Sequence, residues 1–381
     1  MRRLWLLVCM CIFLTGCWDK IEIDNRIYVL AMGLDKINED MPLEKKIFDL
    51  EPNRIKGTFN YPNIGTIAGE GVGESKFTKI ATGIDFTDIV KIFTTRLSGV
   101  LTFDHTKLIV LGEELAKDEM LFKEILDTIE RSPEIGRGIN LMVTKGEAEE
   151  ILSTELSAAE HFLGLFIRDL IDKQTRMART ADADMGYILR TFHESNATVI
   201  PRISASEDEL IVAGAGVFKN FRLVGWLGET ETKMLMFMLN RIDTATFSLK
   251  IDEKFISVLS PYSRTKMKVF ERDGKIVVSF DIKVEGSLVQ HQFGERGETY
   301  EIDYLNRVNK EIEKQLKEGI ITTYKKIQSE YNADLVQAGE YLRKHEPDLW
   351  EKIEEDWDNI FPQTQVEVKV NMEIRRIGAT R

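Results

Sequence analysis

A cysteine, Cys17, is the residue whose type and position point most directly to chemistry in this chain. It ends the tetrapeptide Leu14-Thr15-Gly16-Cys17, which closes an apolar run that begins behind two arginines. A basic start, a short apolar stretch and small residues at the cut form the pattern of a secretory signal. The stretch is shorter than the roughly 20 apolar residues that span a bilayer. The pattern therefore predicts an exported protein from which residues 1–16 are removed.

The same tetrapeptide is similar to the processing site of bacterial lipoproteins. In that class the bond between Gly16 and Cys17 would be cut, and the Cys17 thiol would carry a diacylglyceryl group built on fatty acids such as palmitate. One acyl chain holds a protein at a membrane only marginally, whereas two hold it stably. The alternative is an ordinary export signal that happens to end near a cysteine. We predict lipidation at Cys17.

The cysteine count limits other thiol chemistry. The chain has three cysteines, and Cys9 and Cys11 leave with the signal. If Cys17 is acylated, the mature protein has no thiol left for a disulfide, a nucleophile or a metal ligand. An exported protein of this kind must be held together by its packed core alone.

Other patterns that could carry chemistry are weak. The glycine-rich stretch 65–73 has no following Gly-Lys-Ser/Thr and contains an acidic residue, so we interpret it as a loop. Asp182-Ala183-Asp184 lacks the acidic twelfth ligand of a calcium loop. The histidines show no metal-ligand spacing; they are His105, His161, His193, His291 and His345. The sequence thus predicts no catalytic residue, no cofactor site and no metal site.

The net charge restricts the partners. It is −12 for the whole chain, and loss of the two signal arginines leaves 49 cations against 63 anions, or −14. Phosphate binding requires a basic face, so the composition argues against nucleic acid. Adhesion to anionic lipid also needs clustered cations, so attachment to a membrane should come from the acyl chains.

Alternating strand and helix patterns organise the chain up to about residue 200. The run 27–32 is continuously apolar and predicts one strand buried on both faces. Helices are expected over 86–97 and 115–129, with strands at 107–111 and 139–143. We assign residues 17–200 to an N-terminal α/β region that can hold two subdomains.

The second half is richer in strands. Asp273-Gly274 predicts a hairpin turn between two alternating strands, and apolar residues at helical spacing predict a long helix from Leu305 to Tyr331. We assign 207–378 to a C-terminal α+β domain, so the expected class is a multi-domain α+β fold with mixed sheets flanked by amphipathic helices. Its closing strand, Val366–Ile374, is expected inside the sheet or well covered. A helix bearing Trp350 and Trp357 should pack across it; core packing is the first interpretation of these rings and a partner groove the second.

Three stretches together resemble the C-subunit lipoproteins of spore germinant receptors, the Ger(x)C family. They are Gly16-Cys17-Trp18-Asp19 with Ile27 to Asp35, Gly214 to Lys219 with Leu223 to Leu227, and Pro347 to Trp350 with Asp356-Trp357 and Val366 to Gly378. The similarity runs from Cys17 to the C-terminus.

The resemblance implies a non-enzymatic receptor subunit on the outer face of the spore inner membrane. It would act with membrane-embedded A and B subunits in sensing nutrients, and its only transferable site residue is the acylated cysteine, Cys17. Two alternatives stay open. A lipid-tethered extracytoplasmic solute-binding protein of an uptake system should show two similar lobes around an aromatic cleft, and a tethered hydrolase is the weaker third hypothesis.

Overall fold

The protein has an α+β fold built on two large mixed sheets. The computed structural model describes residues 25–37, 53–63, 66, 76–154, 163–176, 179–181, 184–206, 209–251, 253–291 and 302–376. Strands in these residues are β1 (Arg26–Tyr28), β2 (Ala31–Lys36), β3 (Ile55–Pro62), β4 (Lys76–Gly83), β5 (Val100–Thr102), β6 (Leu108–Leu111), β7 (Asn140–Val143), β8 (Ala197–Ser206), β9 (Glu209–Lys219), β10 (Arg222–Leu227), β11 (Ala245–Ile251), β12 (Lys254–Arg272), β13 (Lys275–His291) and β14 (Gln365–Arg376).

Helices alternate with these strands. They are α1 (Phe86–Arg96), α2 (Glu113–Lys117), α3 (Glu119–Arg131), α4 (Ala148–Ser153), α5 (Leu163–Arg176), α6 (Met185–Ser195), α7 (Glu229–Met238), α8 (Ile302–Ser329), α9 (Ala338–His345), α10 (Pro347–Ile353) and α11 (Trp357–Ile360). Within the described ranges, no helix combines the length and apolar character needed to cross a bilayer. Several helices begin at an acidic cap: Asp85, Asp118 and Asp184 each accept a backbone N–H from the first turn.

An eight-stranded sheet, in the order β10-β9-β8-β7-β6-β2-β3-β4, forms the N-terminal half. Its centre is parallel, from β2 through β6 and β7 to β8, and its flanks are antiparallel. Successive residues of Leu108–Leu111 enter two different apolar clusters, because neighbouring side chains point to opposite faces of a strand. Helices α1, α3 and α6 cover one face, and α4 and α5 cover the other.

The apolar run 27–32 is not one strand, as the sequence predicted, but two. Strand β1 pairs with β5 in a separate two-stranded sheet, whereas β2 enters the long sheet. The chain crosses between them at Val29 and Leu30, whose N–H groups donate to Thr102 O and Asn60 O. Tertiary hydrogen bonds thus divide a segment that looks continuous by hydrophobicity alone.

A four-stranded sheet, β11-β12-β13-β14, forms the C-terminal half. The predicted hairpin joins β12 to β13, and Asp273 and Gly274 both have positive φ, at 51° and 72°. An Asp-Gly pair in this conformation matches the right-handed twist of the flanking strands. Helix α8 lies over this sheet with its buried stripe of apolar residues.

The closing strand, β14, lies at the edge of this sheet and pairs in parallel with β13 alone. Its inner residues Val368 and Met372 are buried, and the helix that covers them is α8. The expected packing of a tryptophan-bearing helix across this strand is therefore wrong. Trp350 and Trp357 lie on two short helices, α10 and α11, separated by a 3-10 turn at Glu354–Asp356.

The apolar core runs from one sheet into the other. Val199 and Val217 of the long sheet share a cluster with Phe280 of the short sheet and Leu235 of α7. Strands β9 and β10 lie beyond the boundary expected at 200–207. Strand β9 pairs with β8, and β10 pairs with β9, so the long sheet crosses that boundary. The division into domains of 17–200 and 207–378 stays a prediction.

Candidate functional site

The residues singled out in the sequence are not brought together by the fold. Gly16 and Cys17 lie outside the described residues, as do His161, Asp182 and most of the glycine-rich stretch 65–73. The described histidine side chains are far apart in the chain and have local partners: His105 packs edge-on against Tyr28, and His345 lies beside Tyr341. A search of the described residues finds no group of ligands that could hold a metal ion.

A cavity at the junction of the two halves, here called the tryptophan pocket, is the candidate site. Its volume is about 220 Å³. One wall is formed by the end of α6 and the turn between β9 and β10, and the opposite wall by residues that follow α8. Its lining includes Glu194, Asn196, Asn220, Asn332, Trp350, Glu354, Glu355, Trp357 and Asp358.

The two tryptophans form the aromatic floor of this pocket. Their rings meet edge to face, with centroids 5.4 Å apart, and Trp357 also lies 6.0 Å from Phe361. Both rings are partly exposed. Gly339 makes this arrangement possible, because a Cβ there would lie 2.9 Å from Trp350 Cη2 and 3.0 Å from Trp357 Nε1.

A buried carboxylate, Asp334, holds the floor in place. It accepts hydrogen bonds from Ala338 N at 2.9 Å, Gly339 N at 2.8 Å and Trp357 Nε1 at 3.2 Å. Burial raises the pKa of Asp334 above its ordinary value, and these three donors oppose the rise. One acidic side chain therefore fixes both the start of α9 and the Trp357 ring.

The rim of the tryptophan pocket is acidic and joins the two halves. Lys219 of β9 pairs with Asp358 at 2.8 Å, and Asn332 donates to Asp358 O at 2.9 Å. Glu354 and Glu355 are exposed on the same rim. Half-buried aromatic rings with charged surroundings are typical of protein contact surfaces, where aromatic anchors carry much of the binding energy.

Trp357→Ala is expected to lower the melting temperature of the protein by several degrees. The change removes a partly buried ring and leaves Asp334 with one donor fewer, which together cost about 3 kcal/mol. Thermal unfolding followed by circular dichroism measures this, with Trp357→Phe as the milder control that keeps a ring. Unchanged melting together with lost assembly in spores would instead assign Trp357 to a partner surface.

A second polar cluster lies where β2 ends. The Asp35 side chain is almost completely buried. Its carboxylate accepts hydrogen bonds from Ala148 N at 2.6 Å and from Glu149 N at 3.0 Å, so it caps α4 from a distant part of the chain. Lys56 is buried beside it and pairs with Glu147 and Glu149. Desolvation raises the pKa of Asp35 to about 6 against these favourable contacts.

Asp35 predicts a measurable dependence of stability on pH. The pKa of Asp35 is about 6 in the folded protein and has its ordinary value of 3.8 in the unfolded chain. At pH values between these two, the folded state therefore binds more protons than the unfolded state. The free energy of unfolding should therefore fall as pH rises from 4 to 7, by up to roughly 3 kcal/mol from this group. Chemical denaturation of the wild type and Asp35→Asn at both pH values tests this. An equally steep pH dependence in the variant would contradict it.

Comparison with known proteins gives matches along nearly the whole chain. The family described as "Spore germination protein N-terminal domain" matches residues 19–205, and "Spore germination B3/ GerAC like, C-terminal" matches residues 213–378. Spore germination protein B3 of Bacillus subtilis (strain 168) is 24% identical, over 97% of this chain and 96% of its own. Spore germination protein A3 of the same organism is 25% identical, over 99% and 98%.

A solved structure agrees with the fold. The crystal structure of the GerBC protein superposes with a TM-score of 0.61 and covers 91% of this chain and 98% of its own, at 20% sequence identity. At that identity the likeness establishes the α+β architecture. The matched segments contain both walls of the tryptophan pocket.

Proposed function

Because the chain belongs to the Ger(x)C family of spore germination proteins, we propose that it is a lipid-anchored, non-enzymatic subunit of a nutrient germinant receptor. The observation that carries the proposal is the pair of family matches, which together extend from residue 19 to residue 378. Its relatives include the proteins named spore germination proteins B3, KC and A3, and these names support a role in spore germination.

The proposed subunit is held by a diacylglyceryl group on Cys17 at the outer face of the spore inner membrane. It acts there with membrane-embedded A and B subunits, and the tryptophan pocket is the surface we assign to contact with one of them. Its aromatic floor and acidic rim suit a partner segment that presents a lysine or arginine side chain.

The solute-binding alternative has less support. Such a protein should have two similar lobes around a cleft. Here the two large sheets differ in strand number, in order and in the direction of their central strands. The tryptophan pocket lies at the junction of these two unlike halves and not between two similar lobes.

Affinity purification of the full chain from detergent-solubilised spore membranes tests the proposal. We expect two multi-spanning membrane proteins to co-purify in fixed proportion, and germination in response to nutrients to be lost when the gene is deleted. Recovery of a transport ATPase or permease in their place, with normal germination of the deletion strain, would favour the solute-binding alternative and reject the receptor role.

A further inference from the structure

Lys233 is a partly buried cation without a counter-ion in the described part of the protein. It lies on α7, and its ammonium group donates to Thr246 O at 2.6 Å and stands 4.6 Å from the ring centroid of Phe247. The acidic residue one turn earlier, Glu229, is engaged by Arg179 through two hydrogen bonds of 2.8 and 3.1 Å. No carboxylate of the described residues forms an ion pair with Lys233.

A partly buried charge without an ion-pair partner is unfavourable and calls for an explanation. Buried charges in proteins are usually paired, because their desolvation is costly. Burial lowers the pKa of Lys233 to about 8, and the negative charge of Glu229 opposes this shift only in part. The side chain is still largely protonated at pH 7, and an ammonium has three donors of which the Thr246 carbonyl takes one.

A cavity opens beside this ammonium group and is here called the lysine pocket. Its volume is about 280 Å³, and it lies between α7, α8 and the edge strand β11. Met234, Phe247 and Leu316 supply apolar walls, and the polar lining includes Thr230, Ser248 and Gln315. Glu229 also lines this pocket, and its carboxylate is the one already bound by Arg179. Helices α7 and α8 pack closely at the floor of this pocket, since a Cβ on Gly319 would lie 2.8 Å from Met234 Sδ.

We propose that the lysine pocket binds a small molecule with one carboxylate group and a compact apolar body. The carboxylate would take the free donors of Lys233, and the apolar body would contact Phe247, Met234 and Leu316. The volume limits the body to roughly ten non-hydrogen atoms, because ligand pockets for larger molecules start at about 300 Å³. The hydrogen bond to Thr246 O also protects the β11 edge, but edge protection does not require a cavity lined on one side by apolar residues.

The same chemistry is available from two sources. A free carboxylic acid can supply the anion, and so can a glutamate side chain from another protein. The cavity is compact, which favours the free molecule. This inference is independent of the receptor role, because it depends only on the surroundings of Lys233.

Fluorine NMR of the full-length protein in detergent, with 4-fluorobenzoate as the probe and 4-fluorobenzamide as its uncharged counterpart, tests the proposal. A charge-assisted hydrogen bond should make the Kd of the benzoate about tenfold lower than that of the benzamide. Lys233→Met should raise the Kd of the benzoate about tenfold. The matched control is Lys250→Met, which removes an exposed lysine of β11 that also stands over a ring, and should leave binding unchanged.

The outcomes separate the possibilities. Equal affinity of the wild-type protein for the benzoate and the benzamide overturns the proposal without recourse to any variant, so a misfolded Lys233→Met protein cannot leave it undecided. Equal effects of Lys233→Met and Lys250→Met also overturn it. Stronger competition by N-acetylglutamate methylamide than by unlabelled benzoate would confirm carboxylate recognition but assign it to a protein side chain.

Discussion

Replacing Cys17 with alanine is expected to move the protein completely from the spore membrane fraction to the soluble fraction. Each buried methylene of an acyl chain contributes about 0.8 kcal/mol to membrane binding, so two long chains exceed any surface adhesion by a wide margin. Without residues 1–16 the chain would carry a net charge of −14, which repels an anionic lipid surface. Strand β1 begins only at Arg26, so loss of the thiol should leave the core intact.

Membrane pelleting after a high-salt wash measures this effect, with circular dichroism to confirm folding. Cys11→Ala is the matched control, because it removes a thiol from the segment expected to be cleaved and should leave attachment unchanged. Nutrient-triggered germination should be lost in Cys17→Ala spores alone. Salt-resistant pelleting of that variant would show that another part of the chain holds the protein at the membrane.

Ending the chain after Pro362 is expected to abolish cooperative unfolding of the C-terminal half. The truncation removes β14, whose Val368 and Met372 are buried against α8. It also leaves one edge of β13 without the backbone hydrogen bonds that β14 provides. It also removes Thr364, which hydrogen-bonds to Tyr324 and Gln328 in the core. Two large buried side chains alone contribute about 2–5 kcal/mol each, against a total stability of roughly 5–15 kcal/mol.

A chain that ends after Arg376 is the control, since it keeps β14 complete and loses only the last five residues. Thermal unfolding should remain cooperative in this control and become broad or vanish in the shorter chain. Equal melting temperatures of the two truncated chains would mean that β14 is dispensable to the core.

Local patterns in the sequence predicted those elements whose cause is local. The Asp273-Gly274 turn and the helix now placed at Ile302–Ser329 were identified because turn chemistry and helical periodicity are properties of neighbouring residues. The family resemblance was also correct, because its motifs are short and contiguous.

Elements decided by distant partners were not predictable. The helix expected over 115–129 is interrupted at Asp118, which caps α3 and also binds Lys36. Asp334 and Asp35 organise the two polar clusters through residues that no spacing rule connects. For Asp35 the sequence offers one signal, a carboxylate directly after four buried strand residues. Its role as a helix cap could not be predicted, because the helix lies more than one hundred residues later in the chain.

The placement of β14 also bears on how the protein folds. Strand β14 pairs in parallel with β13 across a connection that runs from residue 292 to residue 364, so this whole connection must be made before the pairing can close. Contacts between distant segments slow folding, because the chain entropy of the loop is lost before the contact is gained. The C-terminal sheet is therefore completed only after the long connection between β13 and β14 has been made. If the chain is exported as proposed, such a delay would leave the C-terminal sheet open while the polypeptide passes through a translocation channel.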